Sequence, residues 1–208
     1  MIITKLEKMQ GSRWKVEVDG EYWNILDAEI IVQFHLKQGA AVGEETLEQA
    51  LSAAEYRRAR ERALYLLDRK DYGSWEIERK LSQNVSPETA RRVVERLEEL
   101  GLINDEEYAR KLARHYILQK KQGPHRAVLE LRKRGIDAGL AAEAVDEVEP
   151  EEDQLVELCR RKYARKLETD EKGREKVIAA LMRLGHGYYD ACGAVDTVLE
   201  ELDEQNEE

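Results

Sequence analysis

A chain of 208 residues, 42% hydrophobic, 38% charged and with a formal net charge of -10, can bury a core but offers no apolar run long enough to span a membrane. Its start, MIITKLEKMQ, lacks the basic and apolar regions of a secretion signal. Cys159 and Cys192 make neither a disulfide framework nor a metal pattern. These features predict a soluble cytoplasmic protein with both thiols buried rather than reactive.

The β signals come first. In RWKVEVDGEYWNIL, Trp14, Val16 and Val18 alternate with Arg13, Lys15 and Glu17, and Asp19-Gly20 leads into a second β-prone run. That pattern predicts a hairpin. MIITKLEKM adds a third strand, and strand is expected only within residues 1–26. From Asp27, Ile30, Ile31 and Phe34 share one helical face, and Gly39 closes that helix. A second helix begins near Glu44 and carries Leu47, Ala50 and Leu51. Residues 1–52 thus read as a small cap, too small to stand securely alone.

From Ala53 onward the periodicity is helical. Arg58 to Arg69 forms one helix and Ser74 to Ser82 another. The next stretch, NVSPETARRVVERLEELG, has Asn84 placed for a left-handed stop, Ser86 as N-cap and Pro87 at the first helical position. Ala90, Val93, Val94, Leu97 and Leu100 form its apolar stripe, and Gly101 ends it. INDEEYARKLARHYI restarts with Asn104 as cap and Glu107 set for a capping box.

The punctuation then repeats. LRKRGIDAGLAAEAV (Leu131 to Val145) and LMRLGHGYYDACGAV (Leu181 to Val195) stand fifty residues apart, and a first copy around Asn84 lies one residue out of that step. The stops are Asn84, Gly135 and Gly185, and the restarts are Ser86, Asp137 and Gly187. Ala90, Ala141 and Ala191 follow, then Val94, Val145 and Val195. Such self-similarity predicts a tandem array in which each unit buries its face against the next. The expected fold is mainly α: three tandem three-helix, helix-turn-helix-like repeats in an elongated array, with a small N-terminal three-strand segment. The expected divisions are 1–52 for the β segment, 53–103, 104–150 and 151–202 for the repeats, and 203–208 for an acidic tail.

Motifs for chemistry are missing. There is no GxxxxGK[ST] loop, no GxSxG elbow, no His/Glu pairing at metalloprotease spacing and no zinc spacing among the four histidines. Gly185-His186-Gly187 opens like a dinucleotide fingerprint, but Asp190 stands where its third Gly belongs. No enzyme, cofactor or metal is expected. Charge is what remains. Tyr108 to Ile136 holds nine Lys or Arg and one acid, Glu130, and Arg57 to Lys70 holds six basic residues against two acids. Seven acids and no base lie between Ala142 and Gln154, and six more acids end the chain. A basic surface facing a polyanion follows. In HRAVLELRKRG, Ala127, Val128 and Leu131 face the core, which puts Arg126, Glu130, Lys133 and Arg134 on the opposite stripe. Arg126–Glu130 and Glu130–Arg134 are the expected pairs.

Four stretches carry a resemblance to the RecX family, regulators of the RecA recombinase. They are LDRKDYGSWEIERKL (Leu67 to Leu81), LEELGLINDEEYA (Leu97 to Ala109), GPHRAVLELRKRGI (Gly123 to Ile136) and LMRLGHGYYDA (Leu181 to Ala191). The departures are Asn104 for a usual Asp, Ala127 for Ile, and Leu184 and His186 for a base and Phe. The resemblance implies a non-enzymatic regulator, a monomer without a membrane, that binds RecA and its filament on single-stranded DNA. It would oppose filament growth, and with it recombinase and coprotease activity in the SOS response. The expected contact residues are Arg69, Arg110, Arg114, Lys120, Lys121, Arg126, Arg132, Lys133 and Arg134. The alternative is a helix-turn-helix repeat protein that binds single- or double-stranded DNA directly. If the stripe serves a partner, reversing Arg126, Lys133 and Arg134 should leave thermal stability nearly unchanged.

Overall fold

The computed structural model describes residues 1–151 and 153–207; Glu152 and Glu208, counted above with the acidic stretches, lie outside them. Three antiparallel strands, β1 (Ile3–Lys8), β2 (Arg13–Val18) and β3 (Glu21–Asp27), form one sheet in that order. Asp19 and Gly20 both take left-handed backbone, with φ of 52° and 91°. That is the twist a two-residue hairpin turn needs. The Asp19 side chain also accepts a hydrogen bond from the Ile2 N–H at 2.7 Å.

Ten α-helices follow among the described residues: α1 (Ala28–Gln33), α2 (Glu44–Leu67), α3 (Ser74–Leu81), α4 (Pro87–Glu99), α5 (Asp105–Arg114), α6 (Pro124–Lys133), α7 (Ala138–Asp146), α8 (Gln154–Thr169), α9 (Gly173–Arg183) and α10 (Tyr188–Glu207). A π-helical turn, His115–Gln119, extends α5. Two compact units result, Met1–Tyr72 with Ile77–Ile103, and Gly73–Glu76 with the chain from Asn104 onward.

In the first unit, the inner face of the sheet (Ile3, Val16, Val18, Leu26) closes over Ile30, Leu36 and the front half of α2. The back half of α2, through Ala59, Ala63 and Leu66, packs with Ile77, Leu81 and the α4 stripe. Three local expectations are corrected here. The helices expected from Glu44 and from Arg58 are one helix, because no Gly or Pro interrupts residues 44–72. Helix α1 ends at Gln33 rather than running to Gly39, with His35 in left-handed backbone (φ 52°). Gly39 instead brings the chain back to the sheet, where its N–H donates to the Ile3 carbonyl at 2.8 Å. Asn84 is not left-handed; among the described non-glycine residues only Asp19, His35 and Lys121 have positive φ.

The other caps and glycine stops hold, but Glu107 does not complete a capping box: its carboxylate pairs with Lys111 at 3.0 Å. Ser86 accepts from the Thr89 N–H at 3.1 Å, Asn104 from Glu107 at 3.0 Å and Asp137 from Gly139 at 2.8 Å. Gly101, Gly135 and Gly185 have φ of 67°, 84° and 93°, the left-handed stop that glycine makes without a Cβ penalty. Ala90, Ala141, Ala191, Val94, Val145 and Val195 are all buried. In the second unit α5, α6 and α7 enclose one core and α8, α9 and α10 another. Cys159 lies inside the latter, and burial pushes its thiol up to about 11; Cys192 is only half-buried.

Candidate partner-binding face

Eight of the nine expected contact residues lie on α5, α6 and the segment between them, in the second unit. Arg69 lies in the first unit, just after α2, with its guanidinium 4.4 Å from the centre of the Tyr65 ring. The eight differ in what already holds them. Arg110 pairs with Glu147 at 3.0 Å and sits 3.9 Å from Glu106. Arg126 and Lys133 share Glu130, at 2.8 and 3.0 Å. The Lys133 hydrogen bond, helped by Arg126, holds that carboxyl below the usual range. Arg114, Lys120 and Arg132 are exposed and make no ion pair among the described residues.

Arg134 is not on the stripe. It caps the end of α6 and does not pair with Glu130. Its guanidinium instead lies 3.2 Å from the Tyr108 hydroxyl and 3.6 Å from the Glu76 carboxylate, whose side chain is 12% exposed. Tyr108 in turn donates to Glu76 at 2.6 Å, and burial, then that bond, raises its pKa well above the ordinary phenol value. The reason is tertiary: at the last turn of the helix a long side chain can leave its own surface for a half-buried acceptor pair. Arg134→Glu should therefore cost about 1–3 kcal/mol by setting a second carboxylate beside Glu76. Reversing only Arg126 and Lys133 should cost less than about 1 kcal/mol. Thermal melts of the two variants check the difference, and equal melting temperatures would contradict the placement.

The segment between α5 and α6 carries a feature that no local pattern announces. Its π-helical turn leaves the Ile117 carbonyl to accept from the Gln154 side chain at 3.2 Å, and Gln154 accepts from the Lys121 ammonium at 2.8 Å. Lys121 itself is left-handed (φ 53°). Its carbonyl accepts from His186 Nε2 at 3.1 Å, and the Gly123 N–H donates to the Leu184 carbonyl at 2.9 Å. A Cβ on Gly123 would collide with the Gly185 carbonyl and the His186 nitrogen. The second and third repeats therefore join backbone to backbone through two glycines. Lys121 is a structural member of that joint as well as an expected contact.

Burial lowers the His186 pKa below its ordinary 6.5. A depressed folded-state value means the unfolded chain binds the proton more readily. The associated stability is present above pH 6.5 and is lost as pH falls below it. Urea midpoints should fall between pH 7.5 and 5.5, and His186→Gln should flatten that slope; an unchanged slope would remove His186 from the joint.

Three-helix repeats with this punctuation define a class of tandem helical-repeat proteins, and comparison with known proteins narrows it. Residues 59–97 match the first three-helix domain of RecX and residues 104–145 the second. Regulatory protein RecX of Clostridioides difficile (strain 630) is 29% identical over 175 residues, 82% of each chain. That of Bacillus subtilis (strain 168) is 28% identical over 213 residues, 99% of this chain and 80% of the relative. A crystal structure of RecX from Lactobacillus salivarius superposes with a TM-score of 0.61 at 27% identity, covering 73% of this chain and 98% of that one. Another, of a regulatory protein RecX, reaches 0.69 over 96% of this chain and 98% of that one; at 21% identity it speaks for the fold. Over the matched residues the chain is thus similar to RecX proteins in both sequence and fold. No helix among the described residues is long and apolar enough to cross a membrane.

Proposed function

We propose that this protein is a non-enzymatic regulator that binds RecA on single-stranded DNA and restrains growth of its filament, using the α5–α6 face of the second repeat. Relatives across most of the chain are named regulatory protein RecX. The observation that favours a protein-coated target over bare DNA is the charge of the third helices of the second and third repeats, although α4 of the first carries Arg91, Arg92 and Arg96. Helix α7 contains no Lys or Arg, and neither does α10. A helix-turn-helix that reads DNA places such a helix in the major groove, among phosphates, where acids are repelled. Of the expected contact residues in the second unit, three that make no ion pair among the described residues sit instead on α5, α6 and their connection: Arg114, Lys120 and Arg132.

RecA, single-stranded DNA, ATP and the purified protein test this together. ATP hydrolysis by RecA should fall as the protein is added, while the protein alone hydrolyses none. Undiminished hydrolysis at saturating protein would overturn the proposal, and so would turnover that persists in the protein alone after rigorous purification.

A further inference from the structure

A cavity of about 450 Å³ opens in the first unit beside α1, α2 and α4, and none of the nine cations considered above lines it. It brings together apolar Ile30 and Ala53, the ring of Tyr56 and three guanidiniums, Arg57, Arg60 and Arg92. Arg57 is committed to the fold: it pairs with Glu29 of α1 and with Glu61 at 3.1 Å, which neutralises the acid that also lines the cavity. The other two are not. Arg92 lies over the Tyr56 ring, 5.5 Å from its centre. That contact orients a guanidinium while its in-plane N–H donors stay available. Arg60 is exposed and, among the described residues, pairs with no acid. Two cations that pair with no acid among the described residues, beside an aromatic ring in a concavity of ligand size, are available to an anion.

The surroundings decide which anion fits. The other bases nearby on α2, Arg58 and Arg62, line a separate cavity with Leu51 and Val85. The positive charge here is therefore confined to the three guanidiniums, one of them already paired with Glu29. A nucleic-acid strand carries a charge at every phosphate and needs a continuous track of cations, which two spare guanidiniums in one cavity do not make. A peptide with two carboxylates flanking an apolar side chain matches both the charge and the lining. We propose that this cavity is a docking site for a short acidic segment of a partner protein. Its carboxylates would sit on Arg60 and Arg92, and its apolar side chain against Tyr56 and Ile30. The proposal is independent of the α5–α6 face.

Fluorescence polarisation with the full chain and a fluorescein-labelled hexapeptide of alternating aspartate and leucine tests it. The peptide should bind saturably, and its asparagine counterpart should not. Arg60→Glu combined with Arg92→Glu should weaken binding at least about tenfold, since two charge-assisted contacts are lost. Both positions are exposed, so the melting temperature should hold; if it does not, the gentler pair Arg60→Gln and Arg92→Gln decides. Unchanged affinity in the charge variants would overturn the assignment, as would a labelled six-nucleotide oligothymidine that binds equally well and competes.

Discussion

Gly185→Ala should be among the most damaging single-methyl changes in this protein. Gly185 is left-handed at φ 93°, which costs a residue with a Cβ about 1–2 kcal/mol. The new methyl would also strike the backbone nitrogen and Cβ of Arg126. Backbone cannot swing aside as a flexible side chain would, and overpacking of this kind costs about 1–3 kcal/mol. The combined loss of about 3 kcal/mol should lower the melting temperature by about 10 °C. Gly193 supplies the contrast. It sits exposed within α10, with nothing within 4 Å of a built Cβ. Gly193→Ala should therefore stabilise, by up to about 1 kcal/mol, through helix propensity alone. Melting curves of the two variants side by side check the joint; a mild effect at Gly185 would mean that the repeats do not meet there.

The second large effect concerns the proposed filament contact. Arg114, Lys120 and Arg132 make no ion pairs among the described residues, so their charges are available to a partner and their reversal removes no internal pair. Combined Arg114→Glu, Lys120→Glu and Arg132→Glu should leave melting within a few degrees, since surface substitutions stay within about 0.5 kcal/mol each. Affinity for RecA-coated single-stranded DNA should drop about 100-fold, because interfacial charges set both encounter rate and register. Salt then separates the two targets. Binding to bare DNA would weaken with log salt at a slope of about -0.7 per phosphate for single strands and -0.9 for duplex. Coated DNA should instead be held at salt concentrations that release naked DNA of the same length. Full binding by the triple variant would move the contact elsewhere on the protein, and equal affinity for coated and naked DNA would favour direct DNA binding.

What the sequence makes legible is what neighbours in the chain decide. The Asp19-Gly20 turn, the caps at Ser86, Asn104 and Asp137, and the apolar stripe of α4 from Ala90 to Leu97 follow from short-range rules and are present; Leu100, expected at the end of that stripe, is exposed. Arg134 departs from its expected pairing because its partners, Glu76 and Tyr108, lie 58 and 26 residues away, while Glu130 lies at helical spacing nearby. Gly123 gives no conformational hint at all: its φ of -74° suits any residue, and only the approach of Gly185 requires it to lack a side chain. Arg60 and Arg92 share a cavity that no spacing rule joins, since it takes the packing of α4 beside α2 to bring them together.

The π-helical turn at His115–Gln119 also bears on how the repeats came to differ in length. Ala90 precedes Ala141 by 51 residues, whereas Ala141 precedes Ala191 by 50. A π turn closes its hydrogen bond over one more residue than an α turn, so it is where a helix can absorb a single inserted residue without losing the register of its flanks. The longer interval is the one that contains the turn. In that turn the Ile117 carbonyl accepts from the Gln154 amide at 3.2 Å. A one-residue irregularity in the spacing thus coincides with the socket into which the following repeat plugs.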